Sequence, residues 1–106
     1  MISESSIQEA TRRIVEAFAP DRVIVFGSVA RGQAGASSDL DLMVVVPQVG
    51  DRRAMATAMG GVLWGLRLAC DVVVLSREEF EREREQVGSV ARPAAMEGRV
   101  VYDRAA

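Results

Sequence analysis

Asp39 and Asp41 are separated by one residue at the start of an apolar run that Pro47 closes. Because side chains alternate along a strand, both carboxylates should point to the same face, about 6.5 Å apart along the chain. Two such carboxylates repel each other unless a cation lies between them. The pair therefore predicts a site for two divalent ions, Mg²⁺ or alternatively Mn²⁺, which prefer oxygen ligands and would lie about 3.5–4 Å apart.

A third aspartate, Asp71, interrupts a later apolar run at residues 70–75. If that run is a strand beside residues 39–46, Asp71 completes a cluster of three carboxylates. The alternative is structural: Asp39 is a turn residue, Asp41 a rim charge and Asp71 a polar residue that starts a strand. For the aspartate pattern alone, the structural alternative is the more frequent outcome.

Gly27 and Ser28 directly follow a short β-branched run at residues 22–26. Glycine at the end of a buried strand lets a ligand approach the backbone closely. Ser28 would begin a helical turn whose N–H groups favour an anion, and Arg31 adds a fixed positive charge one turn later. The alternative is an ordinary strand-to-helix turn capped by serine. The Gly27-Ser28 turn lies ten residues before the paired aspartates, and this spacing favours a nucleotide-phosphate site over an ordinary turn.

Helices and strands alternate along the predicted fold. A capping box at Ser6 and Glu9 should begin a helix that Pro20 stops, and a second capping box at Ser76 and Glu79 should begin another. Apolar periodicity predicts a helix over residues 51–67, although Gly60, Gly61 and Gly65 would each destabilise it relative to alanine. Strands are expected at residues 22–26, 39–46, 70–75 and 99–102.

Composition limits the class of protein. The chain has 106 residues, which predicts one domain over residues 1–106, with no apolar run long enough for a membrane span and no signal-peptide pattern. Cys70 is the only cysteine, so no internal disulfide can form and a cytoplasmic location is expected. Histidine is absent, which excludes imidazole ligands and bases. A net charge of -2 argues against strong nucleic-acid binding.

The motif Gly27-Ser28, ten residues, then Asp39-x-Asp41, resembles the signature of the DNA polymerase β-like nucleotidyltransferase superfamily. The surrounding residues 26–32 and 37–42, and the ending at residues 96–102, look like the minimal nucleotidyltransferase domains of MNT/HEPN toxin–antitoxin pairs. The resemblance covers nearly the whole chain. One departure is that the position after Ser28, commonly arginine in these domains, is Val29 here.

The resemblance implies an α+β nucleotidyltransferase fold, with a small mixed sheet of three or four strands and helices packed on one face. It also implies that Asp39, Asp41 and Asp71 are catalytic and bind the metals. The nucleotide-binding residues it implies are Gly27, Ser28, Arg31 and Ser38. ATP would be the substrate.

Two classes of function follow. The first is an enzyme that transfers AMP from ATP to a tyrosine hydroxyl of a HEPN-type toxin. The second is an antitoxin that acts by binding alone, with a vestigial site; a catalytic subunit of a split small-molecule nucleotidyltransferase is a further alternative. A partner surface could come from four apolar residues, although Trp64 could equally be a core residue: Trp64, Val87, Val90 and Met96.

Overall fold

The computed structural model describes residues 2–32 and 39–106. Within these ranges the chain forms a four-stranded sheet and five helices. In chain order the elements are α1 Glu4–Phe18, β1 Arg22–Phe26, α2 Gly27–Ala30, β2 Leu40–Val46, α3 Arg52–Val62, β3 Cys70–Ser76, α4 Arg77–Glu83, α5 Ala91–Glu97 and β4 Arg99–Asp103. None of the helices in this part of the chain is long and apolar enough to cross a bilayer.

The sheet is mixed, with strand order β3-β2-β1-β4. β1 is antiparallel to both β2 and β4, whereas β2 and β3 are parallel. The predicted mixed sheet of three or four strands is thus confirmed. The parallel pair matters most for function, because it places the beginning of β2 beside the beginning of β3.

Two apolar clusters cover the two faces of the sheet. Side chains alternate along the strands, so Leu42 faces α1 and α3, while Met43 faces α4 and α5. The two longest helices therefore pack on one face, as expected. The short helices α4 and α5 also cover part of the other face, through Phe80, Ala91 and Ala94.

Helix α1 begins one turn earlier than its predicted start. Ser3 is the N-cap, and its hydroxyl accepts a hydrogen bond from the Ser6 N–H at 3.1 Å. The predicted capping box at Ser6 and Glu9 is therefore wrong, since Glu9 instead forms ion pairs with Arg12 and Arg13. Ser3, Ser5 and Ser6 all lie near the start of this helix and could each cap it, and the structure has the first of them as the N-cap.

The third helix is shorter than predicted, whereas the fourth begins as expected. Asp51 caps α3, which ends at Val62 rather than near residue 67. Gly60 and Gly61 lie in its last turn, and Gly65, three residues beyond its end, has φ +92, in the left-handed region that favours glycine and does not continue a helix. At α4 the capping box is confirmed, with the Ser76 hydroxyl accepting from the Glu79 N–H and the Glu79 carboxylate accepting from the Ser76 N–H.

Candidate active site

Asp41 and Asp71 lie side by side on one face of the sheet. The parallel register pairs Asp41 with Asp71 directly, one residue into each strand. Neighbouring strands are about 4.8 Å apart, so both carboxylates leave the same face at adjacent positions. Alternation places them on the same face as Met43, the face on which α5 packs. The structure thus brings together two of the three predicted carboxylates.

Asp39 lies just ahead of β2 rather than within it, and it is exposed. It still contributes to the same electrostatic environment. Burial raises the pKa of Asp41 above its ordinary value, and the negative charges of Asp71 and Asp39 raise this pKa further. Arg31 opposes the shift. Asp41 is therefore a partly buried carboxylate that two other carboxylates destabilise in its charged form.

The same negative charges affect the thiol of Cys70, which precedes Asp71 on β3. Burial raises the pKa of its thiol to about 11, with added contributions from the charges of Asp39 and Asp71. The thiol packs against the apolar cluster beneath α1 and α3, on the opposite face from the carboxylates. Such a thiol stays protonated at neutral pH, so it is a poor nucleophile and a poor ligand.

Gly27 meets the carboxylate of Asp41 where β1 turns into α2. The antiparallel register places Phe26 opposite Asp41, and Gly27 follows with φ +76. A Cβ atom at position 27 would lie 2.2 Å from Oδ2 of Asp41. Glycine is thus required twice, for the left-handed backbone and for the close approach of the carboxylate.

The remaining phosphate-binding candidates lie on or next to α2. Ser28 is in the first half of this single helical turn, and the Arg31 N–H closes the turn by donating to the Gly27 carbonyl at 3.2 Å. The Arg31 side chain faces Glu97 of α5, with nitrogen and oxygen 3.6 Å apart. Val29 packs against the apolar cluster under α1 and α3. Ser38 lies outside the described residues.

The donor set suits a divalent ion that shares its ligands with a substrate. Within residues 2–32 and 39–106, no three carboxylate or thiolate side chains converge closely enough to hold one ion by themselves. Mg²⁺ commonly binds through one or two carboxylates plus substrate phosphates and water, without an all-protein cage. Asp41 and Asp71 supply such a pair, and burial together with the neighbouring negative charges raises the pKa of Asp41, a cost that a bound cation would offset.

Sequence reasoning did not include Arg92. This arginine of α5 lines a groove of about 550 Å³ together with Arg31 and Glu97. Its position in the sequence, in a short arginine- and alanine-containing helix, gave no signal, because only the packing of α5 on the sheet brings it near α2.

Trp64 is 85% exposed, which excludes its alternative role as a core residue.

Comparison with known proteins agrees with this geometry. Residues 6–100 match the family model described as a nucleotidyltransferase domain. The chain is similar in fold to a candidate nucleotidyltransferase from Sulfolobus solfataricus, solved by crystallography at 1.40 Å resolution. That similarity has a TM-score of 0.66 and 20% sequence identity, and it covers 95% of this chain and 80% of the other. No curated protein matches the chain.

The family match includes the β1–α2 turn, the whole of β2 and β3, and the start of β4. The motifs of the sequence and the adjacent carboxylates of the structure therefore lie inside the matched region. The chain belongs to the nucleotidyltransferase domain family.

Proposed function

We propose that this domain is an antitoxin that uses divalent metal ions, Mg²⁺ or Mn²⁺, to transfer AMP from ATP to a tyrosine hydroxyl of a HEPN-type toxin. The observation that carries the proposal is the meeting of three features at one end of the sheet. Asp41 and Asp71 are paired in register, and Gly27 presents an open backbone against Asp41. Family membership supports the transferase class.

The residues divide into two roles. Asp39, Asp41 and Asp71 would hold the metal ions, and Asp71 would also accept the proton of the attacking hydroxyl. Gly27 and Ser28 would bind the β and γ phosphates, since the first N–H groups of a helical turn have no partner within the turn. When bound, the ions would neutralise phosphate charge and lower the pKa of the attacking hydroxyl.

The reaction balances without any further reactant. The tyrosine oxygen forms a bond to the α phosphorus while the bond from that phosphorus to the bridging oxygen of the β phosphate breaks. Pyrophosphate leaves, and the hydroxyl proton passes to a carboxylate of the site. Catalysis in such transfers consists mainly of positioning and charge stabilisation. A shallow site of carboxylates and backbone N–H groups is suited to that task.

The acceptor would come from a second chain. Five large apolar side chains are exposed in the described part of the chain, the four named from the sequence and one on β4: Trp64, Val87, Val90, Met96 and Val100. Met96 also lines the groove between α2 and α5, on the carboxylate face. Tryptophan is enriched at interface hot spots, so the exposed Trp64 supports the proposal that the partner is a protein. The single cysteine is consistent with a cytoplasmic location for such a pair.

Intact-mass spectrometry of the partner tests the proposal. Wild-type protein with ATP and Mg²⁺ should add one or more AMP units to the toxin, each about 329 Da. The Asp39→Ala variant should add none, and Tyr→Phe replacement of the acceptor should abolish the modification.

The binding-only antitoxin makes the opposite prediction. The exposed apolar residues would suffice for it without any chemistry. Absence of added mass with wild type, combined with full neutralisation of the toxin by the Asp39→Ala variant, would overturn the enzymatic proposal and favour binding alone.

A further inference from the structure

A groove between α2 and α5 opens on the sheet face that carries the carboxylates. It has a volume of about 550 Å³, and Arg31, Arg92 and Glu97 line it. α5 packs through Ala91 and Ala94 on the same face as Asp41 and Asp71. Arg31 ends α2, whose first residue Gly27 lies directly against the Asp41 carboxylate. The groove therefore adjoins the active site through the single turn of α2.

Arg92 differs from the other arginines of the chain. Most arginines face a carboxylate. Three of them, Arg53, Arg67 and Arg92, form no ion pair with any described residue. Arg53 and Arg67 are exposed, whereas Arg92 is partly buried. Arg92 thus lines the groove without a carboxylate partner among the described residues, and an anion in the groove would supply that counter-charge.

The Arg31–Glu97 ion pair does not block the groove to a stronger anion. Its nitrogen and oxygen are 3.6 Å apart, and the two side chains are 41% and 56% exposed. Exposed pairs of this kind contribute little to stability. A polyphosphate offers several oxygens to two guanidinium forks, which bind phosphate with good geometry. It would therefore compete with Glu97 for the Arg31 guanidinium.

We propose that this groove extends the phosphate site of Gly27 and Ser28, and that Arg92 is a second cation, beside Arg31, for the β and γ phosphates bound there. The identification of the anion as a nucleotide tail rests on the proposed function. Arg92 is then a substrate-binding residue that comes from α5, far in sequence from Gly27 and Ser28. With the tail held by two arginines, the α phosphate would lie toward Asp41 and Asp71, and the leaving pyrophosphate would remain neutralised.

Isothermal titration calorimetry with inorganic tripolyphosphate and Mg²⁺ tests the groove without any transfer chemistry. Arg92→Gln should bind tripolyphosphate about tenfold more weakly than wild type, the effect of losing one charge-assisted contact. Glu97→Gln should bind about threefold more tightly, because it removes a competing carboxylate. Arg53→Gln is the matched control, with the same charge change at an exposed position of α3, and should bind as wild type does.

The variant should fold normally, because the Arg92 guanidinium has no partner among the described residues. Equal melting temperatures for Arg92→Gln and Arg53→Gln would verify this. Absence of tripolyphosphate binding by wild type, or equal affinities for these two variants, would overturn the assignment. A variant that fails to fold would also overturn it, because Arg92 would then have a structural role.

Failure of the groove and failure of the proposed function are distinguishable. If tripolyphosphate binding shows the expected pattern but no AMP reaches any partner, the function is wrong and the groove remains an anion site. If AMP transfer occurs and Arg92→Gln has the same KM for ATP as Arg53→Gln, the groove assignment is wrong and the function remains.

Discussion

A Cβ atom on Gly27 would lie 2.2 Å from Oδ2 of Asp41. The backbone of the β1–α2 turn and the carboxylate of β2 therefore occupy one continuous surface, with no room for a side chain between them. A phosphate oxygen that accepts hydrogen bonds from the turn can thus lie within reach of a metal ion on Asp41. This contact joins the two motifs of the sequence into one site.

Replacing Gly27 with alanine should separate the two halves of that site. Gly27→Ala must adopt φ +76, which costs about 1–2 kcal/mol, and its methyl group must displace the Asp41 carboxylate. We expect the increase in melting temperature caused by Mg²⁺ and ATP to be lost.

Gly32→Ala is the matched control for this substitution. Gly32 has a similar φ of +71, but a Cβ atom there would meet no atom of residues 2–32 and 39–106 within 4 Å. It should cost similar stability and retain the response to Mg²⁺ and ATP. Equal responses of the two variants would contradict the role given to the Gly27–Asp41 contact.

Neutralising two carboxylates should abolish metal binding altogether. Ligands that bind only the folded state raise its stability, so Mg²⁺ should raise the melting temperature of the wild type, and more so with ATP present. The double variant Asp39→Asn with Asp41→Asn should show no such increase in differential scanning fluorimetry. If it responds as the wild type does, the ions bind elsewhere.

Metal-free protein should gain stability when Asp41 alone becomes asparagine. Its pKa is raised in the folded state, so the stabilising contribution of its protonated form is lost as the pH rises through that raised value. Asp41→Asn should therefore be more stable than wild type at neutral pH by about 1 kcal/mol, and the difference should disappear in acid. Urea unfolding with a chelator across a pH series measures this.

A loss of stability in Asp41→Asn at neutral pH would show that the carboxylate has a favourable structural partner. Addition of Mg²⁺ should reverse the order of the two proteins, because the ion supplies the missing counter-charge.

Asp21 gives the opposite pH dependence at the far end of β1. Its carboxylate accepts hydrogen bonds from Arg77 at 2.6 and 3.0 Å and pairs with Arg104 at 2.9 Å. These contacts, with a smaller effect of Arg22, lower the pKa of Asp21. Their contribution is therefore present at neutral pH and lost as the pH falls through the lowered pKa.

Asp21→Asn should lower stability at pH 7 by about 0.5–1 kcal/mol, the scale of exposed ion pairs. The variant and the wild type should converge in strong acid, and the variant's response to Mg²⁺ and ATP should be unchanged. A Mg²⁺ response that also falls would show that this end of the sheet is coupled to the active site.

The sequence was most informative where local chemistry alone decides structure. Apolar runs predicted all four strands, and Ser76 with Glu79 predicted the start of α4, because capping depends on residues within one turn. The sequence placed Asp71 beside Asp41 only on the condition that their two strands are neighbours. Pairing between distant strands depends on the whole sheet, so the sequence could not establish that condition. Arg92 could not be found for the same reason: tertiary packing alone brings α5 to α2.

The order of strands also bears on how the site assembles during folding. The β1–β2 pair closes a short loop, whereas β3 joins β2 only after a longer crossover and β4 pairs with β1 across most of the chain. Short loops cost less entropy to close. The Gly27–Asp41 contact should therefore form early and Asp71 should arrive later, so that φ-values near one in β1 and β2 would accompany low values in β3 and β4.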